Sequence, residues 1–237
     1  MSKPSRHVSV TFMLLSVTFC VCIIVSNLVE IKTVEIGKLF SVTAGMFVFP
    51  ISYILNDCIV EVYGFAKARM VIWLGFAMNL LVALLLQLAI LLPGSEEWHG
   101  QAAMEMIYGA VPRIFIASFI AFLCGSMVNA YVMSRLKHAD PEKGSRLRHS
   151  FSFRAMLSTF FGEGVDSLIF FPIAFAGVLS WGLIGRLILV QTLLKTLYEL
   201  IILPVTVRVV RLLMRHEGDL DTSKPASYKW WNFKDLD

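Results

Sequence analysis

The sequence predicts an all-α, polytopic membrane protein with six transmembrane helices and cytoplasmic N- and C-termini. Three observations lead there. First, the 237 residues are 57% hydrophobic and only 16% charged, with a mean hydropathy of +0.72, whereas a soluble domain carries roughly a quarter charged residues. Second, apolar runs long enough to cross a bilayer recur along the chain, and its length accommodates about six crossings of roughly 20 residues with short loops. Third, most of the 21 Lys and Arg fall in the N-terminus, in Glu61–Arg69, in Ser134–Arg154 and after the last apolar run. An even number of crossings with both ends inside places all of these on the cytoplasmic face. The chain divides into a transmembrane domain, 1–215, and a short cytoplasmic tail, 216–237, which is mixed in charge and contains Tyr228, Trp230 and Trp231.

The elements follow in order. Helix 1 covers Val8–Leu28, too long for a signal-peptide core, with Asn27 and Glu30 at its far end. An interfacial place at a helix end accounts for Glu30 at least as well as a ligand role. Helix 2 runs from Leu39 to about Tyr63 and contains Pro50; Tyr53, Asp57, Glu61 and Gly64 recur on one face. Asp57 lies within the apolar run, whereas Glu61 is close enough to the end to pair with Lys67 or Arg69. Helix 3, Met70–Leu92, is interrupted only by Asn79 and Gln87 and reads as packing and lipid surface. A loop, 93–111, with three Glu and no Lys or Arg leads to helix 4, Pro112–Met133. There Ser118 and Gly125 are small enough for close helix packing, and Arg113 at the start is placed to snorkel. Helix 5 spans about Ala155–Leu179 and helix 6 about Leu183–Val207. Helices 2 and 5 hold equivalent places in the two halves, each with an acidic pair and a proline, a plan seen where halves of three helices are inverted.

The chemistry concentrates in Phe160–Phe171. Glu163 and Asp166 sit three residues apart on one helix face, together with Thr159 and Phe170. An acidic side chain at bilayer depth costs about 2.5–3.5 kcal/mol even on lenient scales, so it needs a partner, a cavity or a ligand. Lys195, near the centre of helix 6, lies at matching depth to Asp166 and Glu163, and Glu199 competes for it within the same helix. The four cysteines show neither metal-ligand nor disulfide spacing. The net charge of +4 sits beside the membrane, so it reports topology rather than a nucleic-acid partner.

Several of these residues carry a resemblance. Asn27, the run Asn56-Asp57-Cys58-Ile59-Val60-Glu61-Val62-Tyr63-Gly64, the run Phe161-Gly162-Glu163-Gly164-Val165-Asp166-Ser167, and Lys195 resemble the queuosine-precursor transporter family, also called the vitamin uptake transporter group. The resemblance extends from helix 1 to helix 6. It implies import of 7-deazaguanine precursors of the tRNA base queuosine (such as preQ0 and preQ1), or of queuine, across a cytoplasmic (inner) membrane. The substrate-binding positions it implies are Asn27, Asp57, Asp166 and Lys195; Glu163 and Phe170 join them from the face they share with Asp166. A guanine-like edge presents an N–H and an amino group, two donors that one carboxylate can accept, and a carbonyl that accepts from Lys or an amide. Asp166 or Glu163 would be the acceptor, Lys195 and Asn27 the donors, and Phe170 or Phe171 a stacking surface.

No cofactor is implied. The partners expected are the small-molecule base and the lipid bilayer, and the sequence leaves a homodimer open. A phosphate-cradling G-x-x-x-x-G-K-S/T loop is absent, so the chain does not hydrolyse nucleotide itself. A solitary secondary transporter is favoured over a binding subunit that borrows an ATPase module, because helix 1 lacks the small-residue face that such docking uses. An enzyme is disfavoured: no His falls within the apolar runs and no nucleophile–base set converges.

Overall fold

A computed structural model describes residues 9–36, 40–138 and 151–217. Almost all of them are helical. α1, Val10–Val29, starts at Ser9, whose hydroxyl accepts from the Phe12 amide. A short antiparallel hairpin follows, β1 Thr33–Ile36 and β2 Phe40–Thr43, with Thr33 opposite Thr43 and Ile36 opposite Phe40. A 3₁₀ turn over Ala44–Phe47 leads into α2, Phe49–Tyr63, which has Pro50 in its first turn. α3, Phe65–Leu91, continues directly after Gly64, whose φ of 85° breaks the axis between the two helices. The short α4, Gln101–Tyr108, precedes α5, Val111–His138; α6 is Phe151–Phe175 and α7 is Trp181–Glu217.

The packing falls into two halves. Phe12, Phe19, Ile23, Ile59, Val62, Ile72 and Phe76 bring α1, α2 and α3 together, with Val210 from the far end of α7 added. Ile114, Ala117, Ala121, Phe170, Phe171, Phe175, Ile184 and Leu187 do the same for α5, α6 and α7. α5 and α6 form the most extensive helix pair, because glycine meets glycine there. A Cβ on Gly125 would lie 2.9 Å from the Gly162 carbonyl oxygen, and one on Gly162 would lie 2.9 Å from the Asn129 Cβ. The backbones therefore approach as small-residue interfaces in membranes allow. Outward, Leu14, Val17 and Val21 of α1 and Leu81, Leu84 and Leu88 of α3 are exposed, an apolar surface of the kind a bilayer covers.

Among the described residues, four stretches are long and apolar enough to cross a membrane: Val10–Val29, Ala66–Leu91, Gln101–Asn129 and Met156–Phe175. α2 and α7 carry the polar residues, Asn56, Asp57 and Glu61 on one and Arg186, Gln191, Lys195 and Glu199 on the other. α2 is also short, since 15 residues make about 22 Å of helix. The expected helix from Leu39 is in part a hairpin. Its β-branched Val42 and Thr43 are fully buried in a strand, as such residues favour, and Pro50 marks a helix start rather than a kink. The basic segment Ser134–Arg154 lies mostly outside the described residues, as does the tail beyond Glu217.

Arg113 does more than reach for the interface. Its Nε donates to the Ile173 carbonyl and its Nη2 to the Ala176 carbonyl, both at 2.6 Å. It thereby closes the C-terminus of α6, where carbonyls lack helical partners and a cation is favoured. Glu61 makes no ion pair among the described residues; Lys67 instead stands over the Phe12 and Tyr63 rings, 5.7 and 5.6 Å from their centroids.

Candidate functional site

The seam between the two halves holds a cavity, open toward solvent, with about 750 Å³ of space between its walls. One half supplies Phe19, Ile23, Ile72 and Phe76 to its wall, and the other supplies Phe122, Phe170 and Phe171. Polar groups enter from five helices, α1, α2, α5, α6 and α7.

At one wall α7 meets α6. Lys195 Nζ lies 3.0 Å from Asp166 Oδ2 and 3.2 Å from Glu163 Oε2, with little of any of the three side chains exposed. The ammonium also stands over the Phe49 ring, 4.7 Å from its centroid, where the ring quadrupole adds attraction. The intrahelical competitor does not take Lys195: Glu199 accepts from the Thr159 hydroxyl at 3.1 Å instead. Asp166 reaches the seam because its Cβ lies against Gly125, at the close approach of α5 and α6.

The opposite wall is built around the end of α1. The Ser118 hydroxyl donates to Asn27 Oδ1 at 2.9 Å. That leaves Asn27 Nδ2 buried without a hydrogen-bond partner, and Asn27 is 4% exposed. One turn further, Glu30 Oε1 accepts from the Thr43 hydroxyl at 2.6 Å, and Thr43 in turn accepts from Gln191 Nε2 at 2.6 Å. The chain Gln191–Thr43–Glu30 ties α7, β2 and α1 together with all three side chains buried. Gly45 is required beside it, because a Cβ there would overlap the Glu30 carboxylate.

Of the residues singled out from sequence, Asn27, Asp166, Phe170 and Lys195 line this cavity. Asp57 and Glu163 do not. They line a second cavity of about 320 Å³ of empty space with Tyr198 and Glu199, and Lys195 is the residue shared by the two linings. Asn56, not Asp57, faces the larger space, because successive helical residues point about 100° apart. Sequence reasoning missed Thr43 by placing it in a helix. It passed over Gln191, although Gln191 lies one turn before Lys195 and so on the same face. Ser118 had been read only as a packing residue. The thiols contribute no ligand set: all four cysteines are free, and among the described residues no group of His, Cys, Asp and Glu is arranged to hold a metal.

Residues 43–209, most of the chain, match the model of a family described as "Putative vitamin uptake transporter". The chain belongs to this family. It is a family of transporters, not of enzymes. The chain is 30% identical over 179 residues, 76% of each chain, to the "Probable queuosine precursor transporter" of Bacillus subtilis. It is 30% identical over 136 residues to the "Queuosine precursor transporter" of Escherichia coli, covering 57% of this chain and 56% of that one. A "Probable queuosine precursor transporter" of Haemophilus influenzae is 26% identical over 57% of this chain and 53% of its own. No solved structure matches. The transporter family's matched region holds Thr43, Asn56, Glu163, Asp166, Gln191 and Lys195, whereas Asn27 and Glu30 stand before it.

Proposed function

We propose that this transporter imports 7-deazaguanine precursors of queuosine across the cytoplasmic membrane, as a solitary secondary transporter of six crossings with both termini inside. The observation that carries the reading is the seam cavity. Its walls offer aromatic faces for a planar ring, and it presents acceptors, Glu30 and Asp166, beside donors, Asn27 Nδ2 and Lys195. The names of the relatives supply the substrate class. Two packed halves with a polar site between them match how transporters hold a substrate near the midplane. Reading α2 and α7 as the two further crossings is supported by where Asn56 and Asp57 of α2 and Gln191, Lys195 and Glu199 of α7 go, into the linings of the two cavities. The hairpin and 3₁₀ turn before α2 would complete its passage, since non-helical backbone is tolerated at membrane depth where it lines a cavity.

The test is uptake in queuosine-auxotrophic cells that express only this chain, scoring queuosine in tRNA after each precursor is fed. Restoration by a 7-deazaguanine, lost in Asp166→Asn at equal protein level, supports both substrate and site. Restoration only when an ATPase module is co-expressed would replace the solitary transporter with a binding subunit. No restoration with any precursor would overturn the reading.

A further inference from the structure

We infer that Glu30, with Asn27 beside it on α1, reads the donor edge of the base, and that Asp166 does not. The inference rests on the proposed function and assigns its specificity to a residue outside the matched family region.

A base of the guanine type shows an N–H and an exocyclic amino group side by side, followed by a carbonyl. The two donors call for one carboxylate and the carbonyl for one N–H donor. Of the two carboxylates that line the cavity, Asp166 is engaged by Lys195 at 3.0 Å. Glu30 has no cation within ion-pair distance among the described residues, and its Oε1 accepts from the Thr43 hydroxyl. A buried carboxylate without a counter-charge is costly, and a ligand presenting two N–H groups would supply what it lacks.

Asn27 provides the second, independent observation. Its Oδ1 is held by Ser118, which fixes Nδ2 as the free donor, and Nδ2 is buried, unpartnered and part of the cavity wall. Asn27 and Glu30 lie three residues apart on one helix face, about 4.5 Å along its axis. That spacing is comparable to the span from the carbonyl oxygen to the amino nitrogen on the edge to be read. The Gln191–Thr43 chain holds Glu30 against its flexibility, as a specific hydrogen-bonding site requires.

The test uses the purified full chain and two probes, 7-deazaguanine and 7-deazahypoxanthine, which differ by the exocyclic amino group. Wild type should bind 7-deazaguanine on the order of 10- to 100-fold more tightly, the size of a lost hydrogen bond to a charged group. In Glu30→Gln the preference should shrink to within about threefold through weaker binding of 7-deazaguanine, while Asp166→Asn should keep the preference. Thr43→Val, which keeps the side-chain volume and removes only the hydroxyl, should lower the preference partway; should Glu30→Gln not fold, an unchanged preference in Thr43→Val overturns the inference. So does a preference that follows Asp166, or wild type binding both probes equally. Wild type that binds neither probe overturns the proposed function itself, and the inference falls with it.

Discussion

Lys195 is the side chain on which the most chemistry converges, and its removal has a calculable effect. Lys195→Met removes the ammonium that Asp166 and Glu163 share, three residues apart and buried. Breaking such a pair costs about 3–5 kcal/mol, whereas replacing every member by apolar residues is often neutral. Thermal unfolding in detergent should therefore show a large loss for Lys195→Met and recovery when Glu163 and Asp166 are made Leu as well. Uptake should stay lost in both variants; a Lys195→Met protein as stable as wild type would contradict the pairing. Gly45→Ala tests the opposite wall. The added methyl overlaps the Glu30 carboxylate, so the variant should lose uptake while a substitution on the lipid-facing surface, Leu84→Ala, keeps it. At this scale the need of Lys195 for an acidic partner was legible in the sequence, because a charge deep in an apolar run has few other ways to be neutralised, but the choice of Asp166 and Glu163 over Glu199 was not. The Gln191–Thr43–Glu30 chain was not. Its members are neutral or stand near helix ends, and they meet through space across 148 residues, which no local spacing encodes.

Among the elements, α6 is held in place by two dissimilar devices. Its middle depends on the Gly125–Gly162 contact with α5, so Gly162→Leu should force the helices apart and displace Asp166 from the seam. The expected readout is loss of uptake together with a lower unfolding temperature. Its C-terminus depends on Arg113, and Arg113→Leu removes two hydrogen bonds from a charged donor, each worth about 1.5–3 kcal/mol. Faster amide exchange confined to the end of α6 is the expected sign, and unchanged exchange there would contradict the capping role. α1, α3, α5, α6 and the core of α7 were legible within a few residues, since each is an apolar run whose lipid face needs no partner. The hairpin before α2 was hidden because Phe40–Thr43 is as apolar as a helix of that length, and only its β-branched residues and the position of Pro50 hinted otherwise.

Among the described residues, the two halves are joined by the seam and also where the start of α1 meets the end of α7. The Ser9 hydroxyl donates to Glu217 Oε1 at 2.6 Å, linking the start of α1 to the end of α7. This bond is the main cause that holds the Glu217 carboxyl below its ordinary value of 4.5. A depressed carboxylate stabilises the folded state in full above its unfolded value, and the contribution is lost as pH falls through the folded one. Protection of the first-turn amides of α1, taken relative to the intrinsic exchange rate at each pH, should therefore fall as the pH is lowered below about 4.5, and Ser9→Ala should weaken that pH dependence. Two three-helix halves were anticipated from the equivalent places of helices 2 and 5. The unequal lengths of α2 and α6 were not, because the length of α2 is set by where the hairpin releases the chain.

The double engagement of Lys195 bears on how α7 could move along α6 within the half they share. Its two carboxylates stand three residues apart on α6, about 4.5 Å of rise, so they form successive stations along one rail. A slide of α7 along α6 by that distance exchanges one contact for the other and never leaves the ammonium bare. The same stagger places one station at the wall of the larger cavity and the other at the wall of the smaller. Such a displacement would thus shift the positive charge from one compartment toward the other by a stepwise handover, with a far lower barrier than a single ion pair pulled open in a dry interior.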